Sequence, residues 1–159
     1  MTRWLEGLED RLDAAAGLAA RLDVMVDALQ DLGFTSLGYD YTPVPATPEG
    51  MLISPSLFEV RNIDPELPDL WCNGGFAQID PMQELSAKSS SPFLWSCRRD
   101  KDNDEQNALT GVVGERHQPV IHYLKDTRMT VGVSVPMRLA NGGLATFNSV
   151  RFDPEPGFE

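Results

Sequence analysis

Residues 130–151, TVGVSVPMRLANGGLATFNSVR, decide the fold. Thr130 to Arg138 and Leu144 to Arg151 alternate apolar with small or polar side chains, the period of a β-strand. Leu139 to Gly143 separates them, and the Asn141-Gly142 pair inside it is the strongest short-range hairpin signal, because both residues accept the positive φ that such a turn needs. The chain therefore contains an antiparallel hairpin, and the rest of the sheet is read outward from it.

Towards the N-terminus, a helix is expected from about Pro119 to Thr127. Arg98 to Gln118 is charged and holds Gly111 and Gly114, which suggests a mobile excursion. Phe93 to Ser96 reads as a short strand. Asp80-Pro81 reads as a helix start, since Asp is a favoured N-cap and Pro is favoured at the first helical position. That helix runs to about Lys88, where Ser89, Ser90, Ser91 and Pro92 end it. Asp64 to Asp69, with Pro65 and Pro68, is a turn-rich approach to a short helical piece around Leu70 and Trp71. Leu57 to Val60 and Met51 to Ile53 each fit a short strand, and Thr42 to Gly50, with three prolines, is a loop. Phe34 to Tyr41 alternates as a strand.

Two helices open the chain. Trp4, Leu5, Leu8 and Leu12 sit at helical spacing, with Gly17 as a break. Leu18, Leu22, Met25, Leu29 and Leu32 then form an amphipathic stripe that packs on a sheet, and Gly33 supplies a left-handed stop. The sum is two helices, about five strands and two further helices. The expected class is α+β: an α-β-α sandwich with a roughly five-stranded antiparallel sheet flanked by helices.

The 159 residues fit one domain, residues 1–159. The formal charge of −11, from 13 basic and 24 acidic residues, repels nucleic acid and anionic membrane. Arg98, Arg99 and Lys101 are the one basic cluster, and Asp100, Asp102, Asp104 and Glu105 neutralise it. The expectation is no nucleic-acid partner through this chain. No run approaches the ~20 apolar residues that span a bilayer, and the acidic start, with Glu6, Glu9 and Asp10, is unlike a signal peptide. Two cysteines, Cys72 and Cys97, are too few for a disulfide framework. Together these features suggest a cytoplasmic protein without membrane partners and with reduced thiols.

The chemistry of an enzyme is missing. His117 and His122 are five apart and do not share a helical face, so no metal site is expected. There is no phosphate-cradling glycine loop and no nucleophile elbow. No cofactor is implied.

Residues 67–71 (LPDLW), 76–81 (FAQIDP) and 92–96 (PFLWS) carry a more specific pattern. It resembles the autoinducer-binding domain of LuxR-type regulators. That family has Tyr-Pro-x-x-Trp, then an aromatic before an aliphatic-Asp-Pro, then a tryptophan fifteen residues beyond the Asp; Asp80 to Trp95 is that interval. Gly132-Val133-Ser134-Val135-Pro136 resembles the family's Gly-x-Thr-x-Pro strand, and Gly33-Phe34 after the second helix also fits.

The resemblance implies a receptor domain, not an enzyme, that takes an acyl-homoserine lactone or a similar amphiphile into an apolar pocket and couples it to dimerisation. Asp80 would accept the ligand's amide N–H, and Trp71 would donate to the lactone carbonyl. Trp95 would wall the lactone ring, and Ser134 and Asn148 would be polar groups lining the pocket. Leu67 stands where the family has its donor tyrosine. Trp71 lies nine residues before Asp80, about four fewer than the family pattern, close to one helical turn. The chain ends near where the family's next helix begins, so a sensing domain without its DNA-binding helix-turn-helix is expected. The implied partners are a small-molecule signal and a second copy or a related regulator. An alternative is a dimerisation partner that modulates full-length regulators with altered or no ligand binding.

Overall fold

The structure is a computed structural model describing residues 2–98 and 106–153. Five α-helices and five strands follow in the order α1 (Thr2–Ala14), α2 (Gly17–Gln30), β1 (Ser36–Thr42), β2 (Leu57–Arg61), α3 (Leu67–Cys72), α4 (Pro81–Lys88), β3 (Phe93–Ser96), α5 (Gln118–Asp126), β4 (Met129–Arg138) and β5 (Leu144–Phe152). The strands make one antiparallel sheet in the order β2-β1-β5-β4-β3.

The hairpin forms where its sequence places it, with Gly142 alone of the Asn141-Gly142 pair at positive φ. β4 and β5 pair from Gly132↔Val150 to Arg138↔Leu144, and Gly142 takes φ 84° in the turn. Leu139 N–H donates to Gly143 O at 2.9 Å, which closes the loop. β5 pairs on its other side with β1, where Gly38 faces Asn148 and Asp40 faces Thr146.

Helices cover both faces. Arg61, the cross-strand partner of Leu37, reaches α2 through Asp23 Oδ1 at 2.6 Å and Ala19 O at 3.1 Å. The face that carries Leu37, itself fully buried, therefore lies under α2. The opposite face, which carries Gly38 and Asp40, lies under α3, α4 and α5. A cluster of Leu67, Trp71, Ala77, Met82, Trp95, Val120, Leu124 and Met129 fills that second layer. The end of α2 is set by Gly33 at φ 82°: Gly33 N–H bonds Gln30 O at 2.9 Å and Phe34 N–H bonds Leu29 O at 3.1 Å, the paired bonds of a Schellman cap.

The structure corrects three expectations. Met51 to Ile53 is not a strand of the sheet; it contributes one isolated bridge, Leu52 to Ala46, because Pro45, Pro48 and Pro55 fix the backbone on both sides of it. The helical piece at Trp71 begins at Leu67, with Pro68 near its start, where a missing N–H does no harm. The described part of the 98–118 segment is packed rather than free. Asn107, Leu109 and His117 are buried in it, and Asn107 brackets Ser96 by accepting from its N–H at 2.9 Å and donating to its carbonyl at 2.7 Å. Residues 99–105 of that segment lie outside the described residues. Among the described residues no helix is long and apolar enough to cross a membrane.

Candidate ligand-binding site

Asp80 stands where a 3-10 turn, Phe76–Ile79, meets α4. Its extended backbone lets the side chain turn back on the helix, so Oδ1 accepts from Met82 N–H at 2.8 Å as an N-cap. The other oxygen, Oδ2, accepts from the Trp71 indole Nε1–H at 2.7 Å. Both residues are buried. Burial pushes the Asp80 carboxyl above the usual carboxylate range, against the opposing pull of the bonds from Trp71 and Met82 and of His117. Trp71 is held edge-on by Phe76 and Tyr123, with ring centroids 5.2 and 5.6 Å away. These T-shaped contacts suit the quadrupoles of the three rings.

A second polar chain crosses the sheet. Trp95 Nε1–H donates to Ser134 Oγ at 3.1 Å, Ser134 donates to Asn148 Oδ1 at 2.6 Å, and Asn148 Nδ2 reaches Asp40 Oδ2 at 3.5 Å. Gln83 Nε2 of α4 closes the chain on Asp40 Oδ1 at 2.9 Å. The register makes this possible, because Ser134, Asn148 and Gly38 lie side by side on three strands and cross-strand partners share a face. Asp40 is 2% exposed. Burial raises its carboxyl to about 7; the bonds from Gln83 and Asn148 oppose that shift, and the charge of Asp80 adds to it.

The two polar groups face one cavity of about 60 Å³, which is mostly apolar. Its walls include Phe58, Ile63, Met82, Leu124, Met129 and Val150, together with Leu67, Trp71, Asp80, Trp95, Asn148, Gly38, Asp40 and Gln83. Five of the residues named from sequence thus share one wall system. Ser134 is not among the walls; it sits behind them, where it positions Trp95 and Asn148. Leu67 brings no donor. Gly132 seats Trp95, since a Cβ there would lie 2.3 Å from Trp95 Cζ2.

Asp40 and Gln83 escaped the sequence reading. In β1 the residues Leu37, Tyr39 and Tyr41 look like the inner face and Gly38, Asp40 and Thr42 like the solvated one. That inference fails where helices cover both faces of an antiparallel sheet. The remaining signal was chemical: an acid in the middle of a strand, two residues from a glycine on the same face. Thr42 Oγ1 and Thr146 Oγ1, beside Asp40 on the sheet, and Ser86 Oγ on α4 are buried without a hydrogen-bond partner in the structure. Each such hydroxyl destabilises a fold by about 1–3 kcal/mol.

A larger space of about 260 Å³ lies beside Cys97, Asn107, Leu109, Ile121 and Lys125. Neither buried carboxylate nor either buried indole borders it, so it lacks the convergent groups of the first cavity.

The sequence model of the family described as "Autoinducer binding domain" matches residues 18–158. The chain belongs to that family, in keeping with its resemblance to LuxR-type regulators. Solved structures share the fold. CepR2 of Burkholderia cenocepacia, described as an N-acylhomoserine lactone dependent LuxR family transcription factor, is 19% identical with a TM-score of 0.66; the match covers 96% of this chain and 79% of CepR2. SdiA of Escherichia coli is 16% identical with a TM-score of 0.68, over 98% of this chain and 57% of SdiA. The VqsR LBD domain of Pseudomonas aeruginosa is 13% identical with a TM-score of 0.60, over 98% of this chain and 82% of that one. At these identities the likeness is one of fold. No curated protein sequence matches the chain.

Proposed function

We propose that this domain is a receptor for an acyl-homoserine lactone or a similarly built amphiphile, bound between the sheet and α3, α4 and α5. The observation that carries the reading is the buried Trp71–Asp80 pair at the wall of an apolar cavity. An amide and a lactone supply one N–H donor and several carbonyl acceptors. Such a ligand can enter between the two side chains, giving its N–H to Asp80 Oδ2 and accepting from Trp71 Nε1. Neither buried group is then left unpaired, which is the condition for exchanging one internal hydrogen bond for two. Trp95 walls the head group, while Leu67, Met82 and Met129 line the path of the tail. Ser134 and Asn148 hold the polar end in place.

Ligand pockets hold about 300–1,000 Å³, several times the present cavity, so binding requires the walls to part. Met82 and Met129 are unbranched and reorient readily. The domain is read as acting by binding: the Asp80 oxygens are engaged by Met82 and Trp71, and those of Asp40 by Gln83 and Asn148. Signalling would pass through pairing with a second copy or a full-length regulator. α1 is suited to that: it leaves Trp4 and Leu5 exposed, at 38% and 47%.

The test is a thermal-shift series with N-acyl-homoserine lactones from butanoyl to dodecanoyl, on the wild type and Asp80→Asn, with the lactone recovered afterwards for mass analysis. A chain-length-dependent rise in Tm, lost in Asp80→Asn and with the lactone returned intact, is the expected outcome. A folded wild type whose Tm no lactone moves would overturn the reading, and a ring-opened product would replace it with an enzyme. Sedimentation with and without the best lactone tests the pairing; a chain that stays monomeric in both would remove that part.

A further inference from the structure

The cavity has a second polar end that the Trp71–Asp80 pair does not account for. Asp40 projects from the middle of β1 towards α4, with Gln83 on one oxygen and Asn148 on the other. Thr146 lies directly opposite Asp40 on β5, and Thr42 lies two residues further along β1 on the same face. Ser86 is one helical turn beyond Gln83 on the buried side of α4. Thr42, Thr146 and Ser86 are each 1% exposed or less, with hydroxyls that have no partner in the structure, but they do not border the cavity, whose polar groups at this end are Asp40, Gln83 and Asn148.

Among the described residues lining the cavity, none carries positive charge. The charged and titratable groups that sense Asp40 are Asp80, at the start of α4, the Cys72 thiol of α3 and the neighbouring Tyr39 phenol of β1, the last two pushed up by burial and then by the Asp40 charge. A hydrocarbon tail laid against this end would press oil on a buried carboxyl that Gln83 and Asn148 serve with one bond each. A carboxylate tail would add a third negative charge. A hydroxyl meets the site, because it can donate to Asp40 and accept from the amide of Gln83 or Asn148, which also border the cavity, at once.

We infer that Asp40, supported by Gln83 and Asn148, is a second recognition point that selects signals whose acyl tail carries a hydroxyl group. This deepens the receptor reading and rests on it. It assigns specificity to a residue outside the Trp71–Asp80 pair. The apolar walls set the size of the tail, and Asp40 sets its chemistry.

Binding of the full chain is measured by calorimetry at about pH 8, where Asp40 with its value near 7 is ionised. The probes are N-octanoyl-, N-(3-hydroxyoctanoyl)- and N-(8-hydroxyoctanoyl)-homoserine lactone, each paired with the ring-free N-methyl amide of the same acid. The proteins are the wild type, Asp40→Asn and Asp40→Leu, each checked for a cooperative melt. The expected result is that one hydroxylated lactone binds the wild type about tenfold tighter than the plain octanoyl lactone, the factor one good buried hydrogen bond supplies. Asp40→Asn should keep part of that preference, and Asp40→Leu should reverse it.

Equal or tighter binding of the plain octanoyl lactone by the wild type overturns the second recognition point and leaves the lactone reading intact. Binding of hydroxylated amides without any binding of lactones sinks the lactone reading and keeps Asp40 in its role. Silence from every probe overturns both.

Discussion

Asp80 performs two jobs with two oxygens, and neither is spare. Oδ1 caps α4 and Oδ2 holds the Trp71 indole. Asp80→Ala removes a cap, typically worth ~1 kcal/mol, and orphans a buried indole N–H at a further ~1–3 kcal/mol. The expected loss of about 2–4 kcal/mol is read from urea unfolding, and a loss below half a kcal/mol would mean that the pair is not formed. Asp80→Asn should lose less, since its amide oxygen can serve one of the two donors. The same scale shows what the sequence could and could not reveal of the site. Asp80, Trp71 and Trp95 were legible because a fixed interval and an Asp-Pro step bear a local signature. Asn148 stood out as an amide inside an apolar strand. Asp40 was hidden, because its burial depends on a helix some forty residues away, and alternation alone assigns it to solvent.

At the level of elements, the hairpin and the two longer amphipathic segments were readable because their causes are local: a turn pair, a period, a cap. α3 was only half visible, since the contacts that fix Leu67–Cys72, Trp71 with Phe76 and Tyr123 above all, come from other parts of the chain. The 98–118 segment misled for a related reason. Its charge and glycines suggest freedom, yet Asn107 and His117 fasten its described part to Ser96 and to Glu84, with His117 Nε2 3.0 Å from Glu84 Oε2. Burial opposes the charge on Glu84, but the bonds from His117 and Lys88 and the charge of Arg116 outweigh it and hold the carboxyl below its ordinary value. The joint between β3 and β4 yields a sharper expectation. Gly132 pairs with Trp95 and leaves no room for a Cβ beside the indole. Gly132→Ala should displace Trp95, break its bond to Ser134 and destabilise the domain by about 2–3 kcal/mol, as overpacking does. Near-ultraviolet circular dichroism and a melting curve check it; an unchanged tryptophan spectrum with unchanged Tm would refute the packing argument.

For the whole molecule, the buried acids make stability depend on pH in an unusual direction. Asp40 rises from 3.8 to about 7 on folding, so the folded state holds a proton that the unfolded chain releases. Its contribution is fully present below about pH 4 and is lost as pH rises through about 7. Asp80 is shifted the same way, whereas Glu84, held low, works in the opposite sense at acid pH. From Asp40 alone the domain should be about 2–3 kcal/mol less stable at pH 8 than at pH 5. Urea titrations at the two values measure it, and Asp40→Asn should flatten the slope; an equal slope in the variant would place the effect elsewhere. The tightness of the core has a different consequence, one of time. A cavity of about 60 Å³ cannot admit a signal molecule until Met82, Met129 and their neighbours have moved, so capture waits on a rare opening and release waits on the same event. Association should fall below the ordinary 10⁵–10⁷ M⁻¹s⁻¹ and level off at high ligand concentration, as stopped-flow emission from Trp71 and Trp95 would follow. A domain with those kinetics keeps its signal long after the surroundings have changed; it averages over a history and is slow to forget a concentration once it has registered it.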